Sequence, residues 1–380
     1  MLRLLLLIIG LIVYGSLYPW RFSGSTELVP ALRDLLSGNA STFYARDALV
    51  NVFFYVPVGA CAYLALRLRV RAGVAAAAAV ALGIALSICV EVAQGFEVSR
   101  RTSIYDVYAN SFGSVIGVAV AAVFSQTGMR LKRREGSPRA DFAALALIAC
   151  WISYLVFPFL PTLTGRAMGV GLAQARSAGL LSVASASVAW FVMGKAFQAA
   201  GVPRAALVCL ASTTFVLAQV LVLPAKPILA DFAGAVAGAL AFAFAQRRTW
   251  GATVAAVAIV ALLVARGLTP FRIVENAKDF GWVPFAPLLT SDWYRATQVL
   301  STKLFFYAAA VWTLRSAGLR LRSASLITAA VLLAVELVQR RLPVHTPEVT
   351  DSLLALMIGI GFDAFGAEPR RTSNPSGTSA

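Results

Sequence analysis

The chain has 380 residues, of which 59% are hydrophobic and 13% charged, and it carries a formal net charge of +16. A soluble domain holds about 25% charged residues, so this composition excludes an ordinary soluble enzyme and leaves no stretch long enough to hide a soluble catalytic domain. The basic residues fall in short clusters between apolar runs, the pattern of cytoplasmic anchoring, and not on one face as nucleic-acid binding requires.

A membrane span needs about 20 apolar residues. Twelve candidates follow in chain order, at 3–20, 47–66, 73–95, 104–126, 142–160, 178–200, 205–224, 228–246, 251–266, 299–315, 323–340 and 351–367. The first places Arg3 before an apolar core, as a signal peptide does. It lacks an A-x-A site and leads into further spans, so an uncleaved first helix is expected. The basic clusters Arg67/Arg69/Arg71, Arg130/Lys132/Arg133/Arg134/Arg139, Arg247/Arg248, Arg315/Arg320/Arg322 and Arg370/Arg371 then share one side. By the positive-inside rule that side is cytoplasmic, with both termini in, as expected of a bacterial plasma (inner) membrane protein.

The opposite side holds two long loops, at 21–46 and 267–298, with Trp20, Trp282 and Trp293 suited to the membrane interface. "ELVPALRDLL" in the first loop suits a short amphipathic helix lying on the membrane. Cys61, Cys89, Cys150 and Cys209 lie inside apolar runs and read as small buried residues. With His345 as the one histidine, no metal site is expected, and His345 itself reads as an exposed loop residue. No cofactor is expected.

A spacing recurs along the chain. Glu91-x-x-Gln94 precedes Asp106, which lies twelve residues after the glutamine, and Glu336-x-x-Gln339 precedes Asp351 at the same interval. Gln219 precedes Asp231 by twelve as well, with Val216 where the glutamate would stand. "LYPWRF", "VFPFLP" and "LTPFRI" each put a proline and an aromatic just after an apolar run. "NVFFYVPVG" is similar to "KLFFYAAAV" and, more faintly, to "AWFVMG".

The expected fold class is therefore all-α: a polytopic membrane protein of about 12 transmembrane helices, arranged as three parallel four-helix repeats. The expected units are 1–136 with the full motif, 137–248 as a degenerate copy and 249–367 with a partial motif. Residues 368–380 read as a disordered cytoplasmic tail.

Asn51, Pro57, Gly59, Glu91, Gln94, Arg101, Asp106, Asn110, Gly113 and Gly117 appear in an order and spacing that resembles the VanZ-like family, named for a membrane protein linked to teicoplanin resistance. The resemblance covers about 70 residues of the first unit. It implies an integral membrane protein of the cell envelope with an effect on glycopeptide susceptibility, and it implies no settled catalytic chemistry. The third unit departs from the pattern with Lys303, Thr346 and Ala355 at motif positions, and the middle unit has Lys226 for the arginine. A site built on the motif is thus expected in the first unit.

Glu91 and Gln94 share a helix face, while Asp106, Asn110, Gly113 and Gly117 form one stripe on the next helix. Arg100 and Arg101 in the turn between are near enough to pair with Glu91 or Asp106. Gly113-x-x-x-Gly117 admits another helix at close range. Charges near helix ends in lipid need partners, so one reading is a polar clasp that fixes the hairpin.

Another reading is a binding site for an anionic lipid or lipid-linked glycan, built from Asn51, Glu91, Gln94, Arg101, Asp106 and Asn110, with Arg101 holding a phosphate or carboxylate. Secondary candidates are the repeat positions Gln219, Lys226, Asp231, Glu336, Gln339 and Asp351. The alternative is a transporter or a membrane enzyme acting on a polyprenyl-linked intermediate. A Glu/Asp pair suits acid–base work, but no nucleophile or metal cluster accompanies it, so enzyme status stays open and a non-enzyme is favoured. The partners expected are membrane lipids or lipid-linked glycans, and no nucleic acid. Protein partners are unspecified.

Overall fold

The computed structural model describes residues 1–22, 28–29, 33, 35, 45–100, 102–132, 141–156, 179–202, 204–205, 208–209 and 228–366. Among them the regular structure is helical, with two isolated β-bridges and no strand. In chain order the helices are α1 (Leu2–Leu17), α2 (Ala45–Leu66), α3 (Ala72–Gln94), α4 (Ile104–Lys132), α5 (Phe142–Val156) and α6 (Leu180–Ala199). There follow α7 (Ile228–Ala245), α8 (Gly251–Leu268), α9 (Ala286–Thr290), α10 (Trp293–Ser316), α11 (Leu321–Gln339) and α12 (Thr350–Gly366). Eleven of these correspond to spans read from the sequence. The short α9 lies in the second long loop, and the expected span at 205–224 falls mostly outside the described residues.

Among the described residues six helices are long and apolar enough to cross a membrane: α2 over Asp47–Leu66, α3, α4 over Ile104–Ser125, α6, α8 and α11. Alanine and leucine supply much of their length, so helix propensity and hydropathy agree. Large apolar side chains such as Phe53, Val123, Phe124, Phe244, Val257 and Leu326 stand exposed on the outer helix faces. In water that would be a liability; in a bilayer it is the expected outer surface. Cys89 belongs to this outer face and is exposed, against the expectation that it is buried, because lipid takes the place of core around it.

The chain divides into two compact units, Met1–Ser137 and Pro138–Ala380. In the first, α2 and α4 form the most extensive helix pair. Glycine is required there: a Cβ at Gly113 would strike the Val52 carbonyl oxygen, and one at Gly117 would strike that of Val56. α2 continues through Pro57. Leu5, Ile12, Tyr55, Val58, Ala75 and Val118 form part of the core that joins α1 to α2, α3 and α4.

In the second unit α7 packs on α6 in the same glycine-lined manner, through Gly234 and Gly238. α12 differs. Ile358 and Phe362 stand where the stripe of α4 has Gly113 and Gly117, and α12 leans chiefly on α11, with Gly359 against Ser325. Trp151, Trp190, Phe242, Ile259, Phe305 and Leu332 belong to one continuous core drawn from α5 to α12.

Candidate functional site

In the first unit the motif residues converge where α3 ends and α4 begins. Glu91 is buried, and its Oε2 accepts a hydrogen bond from the Ser103 N–H at 2.8 Å. Gln94 Nε2 donates to the Ser16 carbonyl at 3.0 Å, tying α3 to the end of α1. Asn51 on α2 hydrogen-bonds the Asp106 carboxyl. Asn110 Nδ2 donates to Ser87 Oγ at 2.9 Å, while its Oδ1 has no hydrogen-bond partner among the described residues. The Tyr55 hydroxyl lies near Ser87 without completing a geometrically sound bond.

Arg101 lies outside the described residues. Arg100 does not pair with Glu91 or Asp106 as expected: its guanidinium donates to the Tyr18 carbonyl at 3.1 and 3.2 Å. That carbonyl precedes a cis proline at the end of α1. The motif of this unit therefore holds helix ends to loop backbone, one donor to one acceptor.

The third stretch repeats much of this at matching positions. Glu336 Oε2 accepts the Glu348 N–H at 2.8 Å, twelve residues on, as Glu91 does with Ser103. Gln339 Nε2 donates to the Gly267 carbonyl at 2.9 Å, as Gln94 does with Ser16. Thr269–Pro270 is cis and Phe271 has φ 58°, beside a cis Tyr18–Pro19 and φ 62° at Trp20. His345 stands where Arg100 does. It is partly buried and bonds the Thr269 carbonyl at 2.6 Å, which corrects the expectation of an idle exposed histidine. Since a carbonyl can only accept, Nε2 carries the proton.

The content of the third stretch is nevertheless different. Lys303 takes the place of Asn51, and its Nζ lies 2.5 Å from Asp351 Oδ1 and 3.6 Å from Glu348 Oε1. Tyr307 donates its hydroxyl to Asp351 Oδ2 at 2.5 Å. Glu336 is close enough to Asp351 for the two carboxyls to interact electrostatically. These groups border a cavity of about 380 Å³ between α8, α10 and α11, closed at one end by Asp351 of α12.

Arg266, Gln298, Thr302, Lys303, Tyr307 and Gln339 give its wall polar groups, and Leu263, Val299, Phe306, Leu332 and Val335 give it apolar ones. Arg266 is stacked over the Phe306 ring at 4.4 Å and hydrogen-bonds Tyr154. Asp231, from the middle stretch, is close enough to Tyr154 to act on it electrostatically. Gln219 and Lys226 lie outside the described residues.

Sequence reasoning missed Tyr307, Arg266 and Glu348. Tyr307 follows Lys303 by four positions and so shares its helix face, a signal hidden inside an apolar "FFYAAAV". Arg266 stands alone at the end of an apolar run, outside every basic cluster.

Two loop carboxyls mark the contrast. Burial raises the Glu97 carboxyl, but donors from Ser99 and Arg21, with the charge of Arg100, outweigh it and hold the group below the usual range. Burial pushes Glu348 up and the charge of Asp351 adds to this, against the pull of the Thr350 hydroxyl and Lys303. Among the described residues no group of three or more His, Cys, Asp or Glu side chains is placed to hold a metal ion. A smaller cavity of about 240 Å³, bordered by Lys195, Gln198 and Trp312, is mostly apolar and brings no carboxylate beside its lysine.

Residues 1–125, from α1 to Ser125 in α4, match the VanZ/LLP1 family model. The first unit thus carries the likeness that its motif implies. No curated protein and no solved structure matches the chain.

Proposed function

We propose that this VanZ-like membrane protein of the bacterial cell envelope takes up the anionic head of a lipid or lipid-linked glycan, and thereby alters susceptibility to antimicrobials such as glycopeptides. The observation that carries the reading is the two-sided character of the cavity. Lys303 and Arg266 offer charge-assisted donors, and Gln298 and Gln339 neutral ones, while Leu263, Val299, Phe306 and Leu332 offer wall for a chain. The cavity lies toward the helix ends that carry the 269–292 and 340–349 loops. Arg247, Arg248, Arg315, Arg320 and Arg322 mark the opposite ends, so positive-inside orientation puts the cavity at the outer leaflet of the inner membrane.

The division into copies at 1–136, 137–248 and 249–367 belongs to the same proposal. It is supported by the Glu–backbone and Gln–carbonyl bonds that recur at matching positions in the first and third stretches. On this reading the first copy keeps the family motif as a clasp, and the third holds the ligand.

A second reading, a transporter or enzyme for a polyprenyl-linked intermediate, is favoured by one observation: Glu336 and Asp351 are adjacent carboxyls on the cavity wall. Native mass spectrometry of the protein purified in mild detergent tests the first reading. Thr302→Trp fills the cavity without touching its charges. Retention of an anionic lipid by the wild type and its loss from an equally stable Thr302→Trp is the expected result. Identical lipid profiles would sink the proposal.

A further inference from the structure

Charge balance around Lys303 leads one step further, given the reading of the cavity as an anion site. Lys303 is held by Asp351 and Glu348, and Arg266 is the second cation on the wall. Glu336 of α11 and Asp351 of α12 both border this cavity, and with Glu348 they set three carboxyl groups near one ammonium. Lys303 and Arg266 are the cations of the site, and Asp231 is a further carboxylate near Tyr154, the partner of Arg266.

The groups that face the carboxyl pair complete the account. They are Arg266 from α8, Lys303 and Tyr307 from α10, Gln339 from α11 itself, and Glu348 from the loop that enters α12. Tyr307 is a donor to Asp351, and Arg266 is engaged with the Phe306 ring and Tyr154. An anion that engages the Lys303 ammonium takes away the counter-charge of Asp351. Without compensation the cavity would gain one negative charge in a low-dielectric wall, which is unfavourable.

We propose that binding of an anionic head group in this cavity is coupled to uptake of one proton by the Glu336–Asp351 pair. Lys303 keeps its own protons throughout. It turns from Asp351 to the anion, and a proton from solvent settles on the carboxylate it leaves. The proton offsets the charge that the anion brings, and affinity falls as pH rises.

The ligand class is a phosphate diester or a group of similar charge. Its source is either a lipid or a free head group, and two probes separate these. Dihexanoylphosphatidylglycerol carries the diester with chains, and dimethyl phosphate carries it without; neither titrates across the neutral range. Isothermal titration of the purified full-length protein, in buffers of different ionisation enthalpy, counts protons taken up per anion bound.

The expected result is about one proton per phosphatidylglycerol bound and a Kd that weakens about tenfold per pH unit. The isosteric double variant Glu336→Gln/Asp351→Asn keeps the backbone acceptor for Glu348 and the acceptor for Tyr307. With thermal stability as its folding control, it is expected to bind phosphatidylglycerol with no proton uptake and no pH dependence. Binding of both probes with uptake supports the proposal and assigns recognition to the head group; uptake with phosphatidylglycerol alone supports it and assigns a lipid. Binding by the wild type with no net proton, or an unchanged proton count in the double variant, overturns the coupling and leaves the anion site standing. Failure of both probes to bind at any pH removes the site and the coupling together.

Discussion

The loop that joins α3 to α4 and the loop that joins α11 to α12 are built on the same bonds and do different work. In both, a buried glutamate accepts the backbone N–H twelve residues on, and a glutamine three residues later holds the end of an earlier apolar helix, α1 or α8. Substitutions at matching positions, Lys303 for Asn51 and Glu348 for Ser103 first among them, separate their chemistry. Asn51 meets Asp106 as a neutral partner, whereas Lys303 brings an ammonium to Asp351 and Glu348. Ser87 and Asn110 also give way to Leu332 and Ala355, so the polar layer of the first region becomes one apolar wall of a cavity in the third. A clasp and a pocket can thus share one backbone plan, and the buried charges decide which it is.

The largest test of this contrast removes the ammonium. Lys303→Ala leaves Asp351 and Glu348 without their cation and is expected to cost about 3–5 kcal/mol. Asn51→Ala forfeits a hydrogen bond worth about 1 kcal/mol. Thermal unfolding in one detergent compares them, and equal losses would erase the distinction. Next comes packing. Gly113→Ala drives a methyl into the Val52 carbonyl and is expected to cost about 1–3 kcal/mol. Ile358→Val, at the matching place in α12, is expected to cost about 1 kcal/mol or less. A silent Gly113→Ala would show that α2 and α4 can separate freely.

Exchange of the key residues sharpens the comparison further. Lys303→Asn gives the third region the residue of the first, and phosphatidylglycerol binding is expected to weaken by about tenfold or more. Asn51→Lys, the reverse change, is expected to preserve the melting temperature because Asp106 receives the new charge. Undiminished binding by Lys303→Asn would take the lysine out of the site.

The smallest effect concerns pH. Glu97 is held below its ordinary range by its donors, so its folded pKa lies under its unfolded one. Its contribution is present above the unfolded value and is lost as pH falls through the folded one. Leu342 holds the matching place in the third region and cannot titrate. Glu97→Gln is therefore expected to flatten the acid side of the melting temperature against pH, and an unaltered acid limb would refute the assignment.

Much of this was legible in the residues. Apolar runs placed eleven of the described helices, because hydropathy and helix propensity point the same way in Ala- and Leu-rich segments. The spacing of Glu91, Gln94 and Asp106, and of Glu336, Gln339 and Asp351, marked both loop regions. The sequence was misleading where a side chain had a choice of partners. Arg100 is within reach of two carboxylates by position, yet it satisfies the Tyr18 carbonyl. His345 looked idle, yet it serves the Thr269 carbonyl in the same way. An unpaired carbonyl beside a proline leaves no trace in the residue pattern, although leaving it buried and unmet would be costly.

The sequence by itself determined that this protein is helical and suited to lipid, where its helices run, and which polar residues recur at fixed intervals. Those follow from local properties: apolar length, propensity and spacing along one helix face. Tertiary structure decided which repeated motif encloses a cavity. That depends on Lys303, Tyr307, Arg266 and Asp351 meeting from α10, α8 and α12, and on glycine seating α4 against α2 where Ile358 and Phe362 mark α12. Packing distance and charge pairing are properties of several helices at once, and no single helix encodes them.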